Sequence, residues 1–280
     1  MPSLPATGYL RPETLDAAIE ALGPGAVAVA GGTAVILHPP PETRILVDVG
    51  GVLPADIHDQ DGGFSIGAMA TLSAMLEHPG LAALYDGVLA RMLQLVGSPL
   101  LRNAATIGGH LGRGRLSDII PLLIALDASV EVYDGRRERM PLEEYYRREL
   151  HRDRSLVTEV TIPSRPARSG AAFHKLSRTH FDLAMLNGAA RIRLEEDGTV
   201  GDARVVVGET PSLGSRVPEV EALLRGAGLT TEEIDAAAQT ARAAVEVGTD
   251  SRASAEYRTQ LVGVVVARCL TEAAGYLESA

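Results

Sequence analysis

The sequence predicts an α+β protein of more than one domain, on three observations. Amphipathic helical stripes and short apolar strands are mixed through the first half of the chain. A stretch rich in Pro, Ser and Gly at residues 162–170 marks a boundary. Beyond it, a strand hairpin is followed by long helical segments, the pattern of a sheet with helices on one face.

Residues 13–22 form the first helix. Leu15, Ala18, Ile19 and Leu22 fall at i, i+3, i+4 and i+7, and Pro12 sits near the start, where a helix tolerates it. Gly23, Pro24 and Gly25 end it. The apolar run 26–30 is a strand that stops at Gly31-Gly32, and residues 44–49 form the next strand. Residues 66–68 read as a strand and 71–77 as the helix after it, with Thr71 as N-cap. Residues 81–96 read as one longer helix, ended by Gly97-Ser98-Pro99. A second glycine turn follows at Thr106-Ile107-Gly108-Gly109. The apolar run 119–126 fits strand or helix, and 128–133 alternates as a strand. After the boundary, strands are expected near 173–176 and 189–194. In the second of these, Arg191 and Arg193 alternate with Ile192 and Leu194, as in a sheet with one wet face. Asp197-Gly198 is a hairpin signal and 203–207 the returning strand. Helices are expected over 230–247 and 255–277.

The chain has 280 residues, enough for two or three small domains or one large one, and 46% hydrophobic residues supply a sizeable core. A net charge of −10 argues against general binding to nucleic acids or anionic membranes. With no Trp and 4% aromatic residues, there are few platforms for stacking bases. The single cysteine, Cys269, excludes a disulfide within the chain and an iron–sulfur cluster held by four thiolates. Any such cluster must lie on another chain. Cys269 sits in an apolar stretch and reads as a small core residue. No apolar run approaches 18 residues and no basic-then-apolar leader is present, so a cytoplasmic protein is expected. The seven histidines lack zinc-site spacing, and Gly-x-Ser-x-Gly is absent. Glu143-Glu144 and Glu195-Glu196 read as solvated faces, and residues 136–139 as a charged turn after Gly135.

The two glycine turns are Ala30-Gly31-Gly32-Thr33-Ala34 and Thr106-Ile107-Gly108-Gly109-His110. Paired glycines allow positive φ and a close backbone approach to a ligand, and successive N–H groups can form an anion site. Taken singly, each is most simply a tight bend. Neither matches G-x-G-x-x-G, and no P-loop lysine is present.

Taken together with their surroundings, the turns resemble the FAD-binding medium subunit of the molybdenum hydroxylase family, which includes aerobic carbon monoxide dehydrogenase and xanthine dehydrogenase. Three blocks carry the resemblance, in order, across nearly all of the chain. The first is Val29-Ala30-Gly31-Gly32-Thr33. The second is Arg102-Asn103-Ala104-Ala105-Thr106-Ile107-Gly108-Gly109, with Ser117-Asp118-Ile119-Ile120-Pro121 and Ala125-Leu126-Asp127-Ala128 downstream. The third is Asp250-Ser251-Arg252-Ala253-Ser254-Ala255-Glu256-Tyr257-Arg258.

The resemblance implies a two-part FAD-binding domain of the PCMH/vanillyl-alcohol-oxidase type, residues 1–52 and 53–165. A C-terminal α+β domain of the carbon monoxide dehydrogenase flavoprotein type would follow at 170–280. It implies that Gly31, Gly32 and Thr33 cradle the FAD diphosphate through backbone N–H groups, with Ala30 and Ala34 as cofactor-binding neighbours in the same turn. Thr106, Gly108 and Gly109 would cradle it from the second turn, with His110 beside them as a cofactor-binding position. Asp118 would hydrogen-bond the cofactor, Lys175 would lie near the flavin, and Leu183 would stand where some relatives carry an aromatic residue. No residue of this chain is implied in catalysis or metal binding. Electrons would pass from two [2Fe–2S] clusters on a small partner subunit to FAD here. Molybdopterin would sit on a large subunit, the whole forming a dimer of heterotrimers.

The sequence departs from the family at three places. His110 replaces an asparagine, the segment before Asp118 is one residue shorter, and Arg113 and Arg115 stand where relatives have small residues. These arginines suit FAD phosphates, a solvated loop or a partner contact equally. Two other readings are a stand-alone FAD reductase resembling UDP-N-acetylenolpyruvoylglucosamine reductase, and a scaffold without flavin. The Asp250–Arg258 block speaks against the first; a colourless purified protein would favour the second.

Overall fold

The computed structural model describes residues 6–209 and 214–278, which build two compact units from interleaved stretches of chain. The first comprises Met1–His78, Ser98–Gly114 and Ser129–Ile162; the second comprises Pro79–Gly97, Arg115–Ala128 and Pro163–Ala280.

The first unit opens with a parallel sheet of β1 (Gly8–Leu10), β3 (Ile45–Asp48) and β2 (Ala26–Val29), in that spatial order. α1 (Leu15–Ala21) is N-capped by Thr14, whose hydroxyl accepts from the Ala17 N–H at 3.1 Å. Its inward residues Ala18 and Ile19 pack with Val47, Val49 and Leu156. The second sheet has the order β4 (Ile57–Gln60), β5 (Gly63–Gly67), β8 (Leu156–Pro163), β6 (Ser129–Tyr133), β7 (Arg137–Pro141). Helices α2 (Leu72–Glu77), α5 (Pro99–Ala104), α6 (Ile107–Arg113) and α8 (Leu142–Arg147) complete the unit. Thr71 caps α2 as expected, its hydroxyl accepting from Ala74 N–H at 3.1 Å. Residues 137–139, expected as a turn, belong to edge strand β7. The reversal is made earlier, at Gly135, whose φ is +111°. Charged side chains are stable on this strand because they face opposite charges: Arg137 pairs with Glu131, and Arg139 with Glu159 at 2.5 Å.

The second unit is an antiparallel sheet, β12 (Ser215–Arg216), β11 (Val200–Gly208), β10 (Leu186–Leu194) and β9 (Ser169–Leu176), with helices on both faces. On one face, α9 (Pro218–Leu224), α10 (Thr231–Ala244) and α11 (Ala255–Glu278) bury Ala172, Leu186, Ala190, Ile192 and Val205. Gly170 and Gly188 let α11 sit close: a Cβ at Gly170 would stand 2.2 Å from the Ala273 carbonyl oxygen. Cys269 lies in this core, 1% exposed. α11 is long and apolar enough to cross a bilayer by length and composition, but its apolar side packs on β9 and β10.

The other face takes residues from earlier in the chain. α7 (Ile119–Ala125) contacts β10 and β11, and α4 (Val88–Gln94) contacts β9. The run 119–126 is thus helical, with all seven residues of α7 buried. The helix expected over 81–96 is two, α3 (Pro79–Ala83) and α4. Tyr85, Asp86 and Gly87 between them take left-handed conformations with φ of 47°, 54° and 84°. Asp86 holds that break through an ion pair with Arg165 at 2.8 Å.

Candidate functional site

In the first unit, the chain leaves β2 at Ala30 and turns at Gly31-Gly32. Gly32 has a φ of +70°, a conformation that a side chain disfavours. Gly31 is needed for another reason. A Cβ there would stand 1.7 Å from the Ala104 carbonyl oxygen and 2.7 Å from its carbon. Beyond the turn, the Ile36 N–H donates to Gly32 O (3.1 Å) and the His38 N–H to Ala34 O (2.8 Å). The N–H groups of Gly31, Gly32, Thr33 and Ala34 donate to no acceptor among the described residues. All four residues are half-buried. Consecutive N–H groups with no protein acceptor leave a stretch of backbone donors that an anion can take.

The second turn lies against the first, because Ala104 and Ala105 lead directly into it. The Leu72 N–H donates to Ala105 O (2.9 Å) and the Ile107 N–H to Ala70 O (3.0 Å). Thr106 caps α6, its hydroxyl accepting from the Gly109 N–H at 3.1 Å. The Gly108 N–H donates to Ala68 O at 2.9 Å, and a Cβ on Gly108 would meet the Ala68 Cβ at 2.7 Å. These two N–H groups are therefore engaged within the fold. Gly108 is required here for close packing. His110, one turn along α6, is half-buried; desolvation and the Arg113 charge push its pKa down to about 4. Arg115 is exposed.

In the second unit, Asp118 precedes α7 and is 9% exposed. Its Oδ2 pairs with Lys175 Nζ at 2.8 Å, and its Oδ1 accepts from Asn187 Nδ2 at 2.8 Å. Lys175, on β9, also donates to Leu95 O at 3.1 Å. Leu183 lies on the β9–β10 loop, 53% exposed, close in sequence to Phe181 at 64%. Asp118 and Lys175 are thus brought together, as the two glycine turns are in the first unit.

Sequence reasoning missed Asn187 and Glu209. Asn187 is legible in hindsight as an amide interrupting an apolar strand. Glu209 left no such signal: its buried carboxylate and φ of +60° follow from tertiary contacts.

The fold and the paired turns define a two-unit α+β chain with backbone N–H groups available at its first glycine turn. Residues 5–165 match the FAD binding domain in molybdopterin dehydrogenase, and residues 171–273 match the CO dehydrogenase flavoprotein C-terminal domain. The 6-hydroxypseudooxynicotine dehydrogenase complex subunit alpha of Paenarthrobacter nicotinovorans is 31% identical, covering 96% of this chain and 95% of that one. The carbon monoxide dehydrogenase medium chain of Hydrogenophaga pseudoflava is 29% identical over 78% of this chain and 77% of that one. The solved structure of carbon monoxide dehydrogenase from the same organism superposes with a TM-score of 0.89 at 28% identity, covering 97% and 98%. The chain belongs to the FAD-binding subunits of the molybdenum hydroxylase family, a family of oxidoreductases.

Proposed function

We propose that this chain is the electron-transfer subunit of a molybdenum hydroxylase. It would take electrons from [2Fe–2S] clusters on a small partner and pass them through FAD to an external acceptor. A large molybdopterin subunit would complete a heterotrimer, present twice. Bound FAD supplies one- and two-electron redox chemistry, and the chain's own residues bind and shield it.

The observation that carries this reading is the run of unengaged N–H groups at Gly31, Gly32, Thr33 and Ala34. These would hold the diphosphate, with Ala30 as the strand end that sets their direction. Thr106, Gly108, Gly109 and His110 would form the facing wall by shape, since the Gly108 and Gly109 N–H groups are engaged internally. Asp118, Lys175 and Leu183 would serve the flavin end. Residues 1–52 and 53–165 would supply the two halves of the FAD-binding domain, and 170–280 the C-terminal domain.

The test is an absorbance spectrum of the purified chain after gel filtration with added FAD. Flavin bands that co-elute with the protein, lost in Gly32→Val, are the expected result. A protein that stays colourless in excess FAD, alone and with partners co-expressed, overturns the reading.

A further inference from the structure

Residues 250–258 form the third sequence block, and neither the glycine turns nor the Asp118–Lys175 pair gives them a role. Their contacts within the second unit run to the two segments that present Asp118 and Leu183. Arg258 is fully buried. Its Nε donates to Met185 O (2.8 Å), its Nη1 to Gly248 O (2.7 Å) and Ala253 O (3.1 Å), and its Nη2 to Asp250 Oδ1 (2.7 Å). Asp250 Oδ2 accepts from Arg252 Nε at 3.0 Å and Nη2 at 2.6 Å. Arg252 Nη1 reaches both Ala184 O and Glu209 Oε2, each at 2.7 Å.

Glu209 carries the connection onward. Its Oε1 accepts from the Ser117 N–H at 3.0 Å, and Ser117 O accepts from Asn187 Nδ2 at 3.3 Å. That same Asn187 nitrogen donates to Asp118. Burial alone would raise the Asp250 carboxyl, but hydrogen bonds from Arg252 and Arg258 outweigh it and hold Asp250 well below the usual carboxylate range. Half-buried ion pairs of this kind are weak stabilisers compared with apolar packing. A rigid guanidinium fork does, however, fix the spacing of the groups it joins. Here the groups are the Ala184 carbonyl, next to Leu183, and the Glu209 carboxylate, which holds the turn at Ser117–Asp118.

We propose that Arg252, braced by Asp250 and acting through Glu209 and the Ala184 carbonyl, is a positioning residue for the flavin: it sets Asp118 and Leu183 in register. This rests on the chain being a flavoprotein. Nothing in it requires Arg252 to touch the cofactor.

The experiment compares the full-length wild-type chain with Arg252→Ala, Arg252→Lys and Glu209→Gln. Arg191→Lys is the control, because Arg191 is a buried arginine that pairs with Asp127 and Asp202 at the other end of α7. FAD affinity, the visible circular dichroism of the bound flavin and its midpoint potential are measured for each. Arg252→Ala should weaken FAD binding about tenfold, the effect of one lost buried charged contact, and shift both the dichroism and the potential. Arg252→Lys should recover part of each. Glu209→Gln keeps an acceptor for Ser117 and should show a smaller shift in the same sense. Arg191→Lys should lower the melting temperature without moving the flavin signals. Folded Arg252 variants with wild-type affinity, dichroism and potential overturn the proposal. So does an Arg191→Lys chain showing the same shifts, which would mean that general destabilisation is the cause. Failure of the wild-type chain to bind FAD, alone and with partners co-expressed, fells the flavoprotein reading itself, and is seen before any variant is compared.

Discussion

Gly31 and Ala104 approach so closely that a methyl group on Gly31 would occupy the space of the Ala104 carbonyl oxygen, 1.7 Å away. The neighbour is backbone and cannot rotate aside. Gly31→Ala should therefore cost about 3 kcal/mol, the upper range for overpacking, and separate the two glycine turns. Thermal unfolding and FAD content check this. A Gly31→Ala chain that melts with the wild type would show that the turns do not touch.

Gly112 gives the opposite expectation within α6. It lies in a helix, its φ is not positive, and a Cβ there meets nothing within 4 Å. Gly112→Ala should raise stability by about 0.5–1 kcal/mol, the helix-propensity difference between the two residues. A urea titration measures it, and a destabilised Gly112→Ala chain would mean that the site beside it is filled.

Lys175 and Asp118 are a buried pair, with side chains 4% and 10% exposed. Removing one partner leaves the other charge stranded. Lys175→Met should cost about 3 kcal/mol. Adding Asp118→Asn should recover much of that loss, because the remaining groups are then neutral. The double-mutant cycle in chemical denaturation would show a large coupling energy. Additive effects would contradict the pairing.

His110 makes stability depend on pH with a definite sign. Its pKa in the folded chain is about 4, below the ordinary 6.5. Between those values the unfolded chain takes up a proton that the folded chain refuses. The contribution is thus fully present above pH 6.5, is lost as pH falls through the window, and levels off below 4. The loss is at most about 3 kcal/mol. His110→Asn should flatten the urea midpoint between pH 7 and pH 4.5 relative to wild type. Parallel pH profiles for the two chains would remove His110 as the source.

The elements with strong periodicity or turn chemistry were legible in the sequence: α1, β2, the cap at Thr71 and the hairpin at Asp197-Gly198 all stand where local pattern puts them. What was not legible depends on distant partners. The break at Tyr85 and Asp86 needs two non-glycine residues in a left-handed conformation, held by Arg165 from far along the chain. β7 is strand through its pairing with β6, with Glu131 and Glu159 matched to its arginines. At the candidate site, the glycine turns and Asp118 could be picked out by motif. The internal engagement of the Gly108 N–H could not, since its acceptor is Ala68 O, in a different block of sequence. Asn187 and Glu209 are likewise defined by what surrounds them.

The interleaving of the two units bears on how the chain is made. α7 is buried on all seven residues, yet the strands it packs against, β10 and β11, begin more than sixty residues later, at Leu186 and Val200. A ribosome releases the chain N-terminus first, so α7 emerges with its apolar surface uncovered and must wait for its sheet. A nascent chain stopped near residue 165 would carry the whole first unit together with an exposed Ile119-Ile120-Pro121-Leu122-Leu123-Ile124 segment. That segment is a natural site for chaperone capture and the place where truncated chains would begin to aggregate.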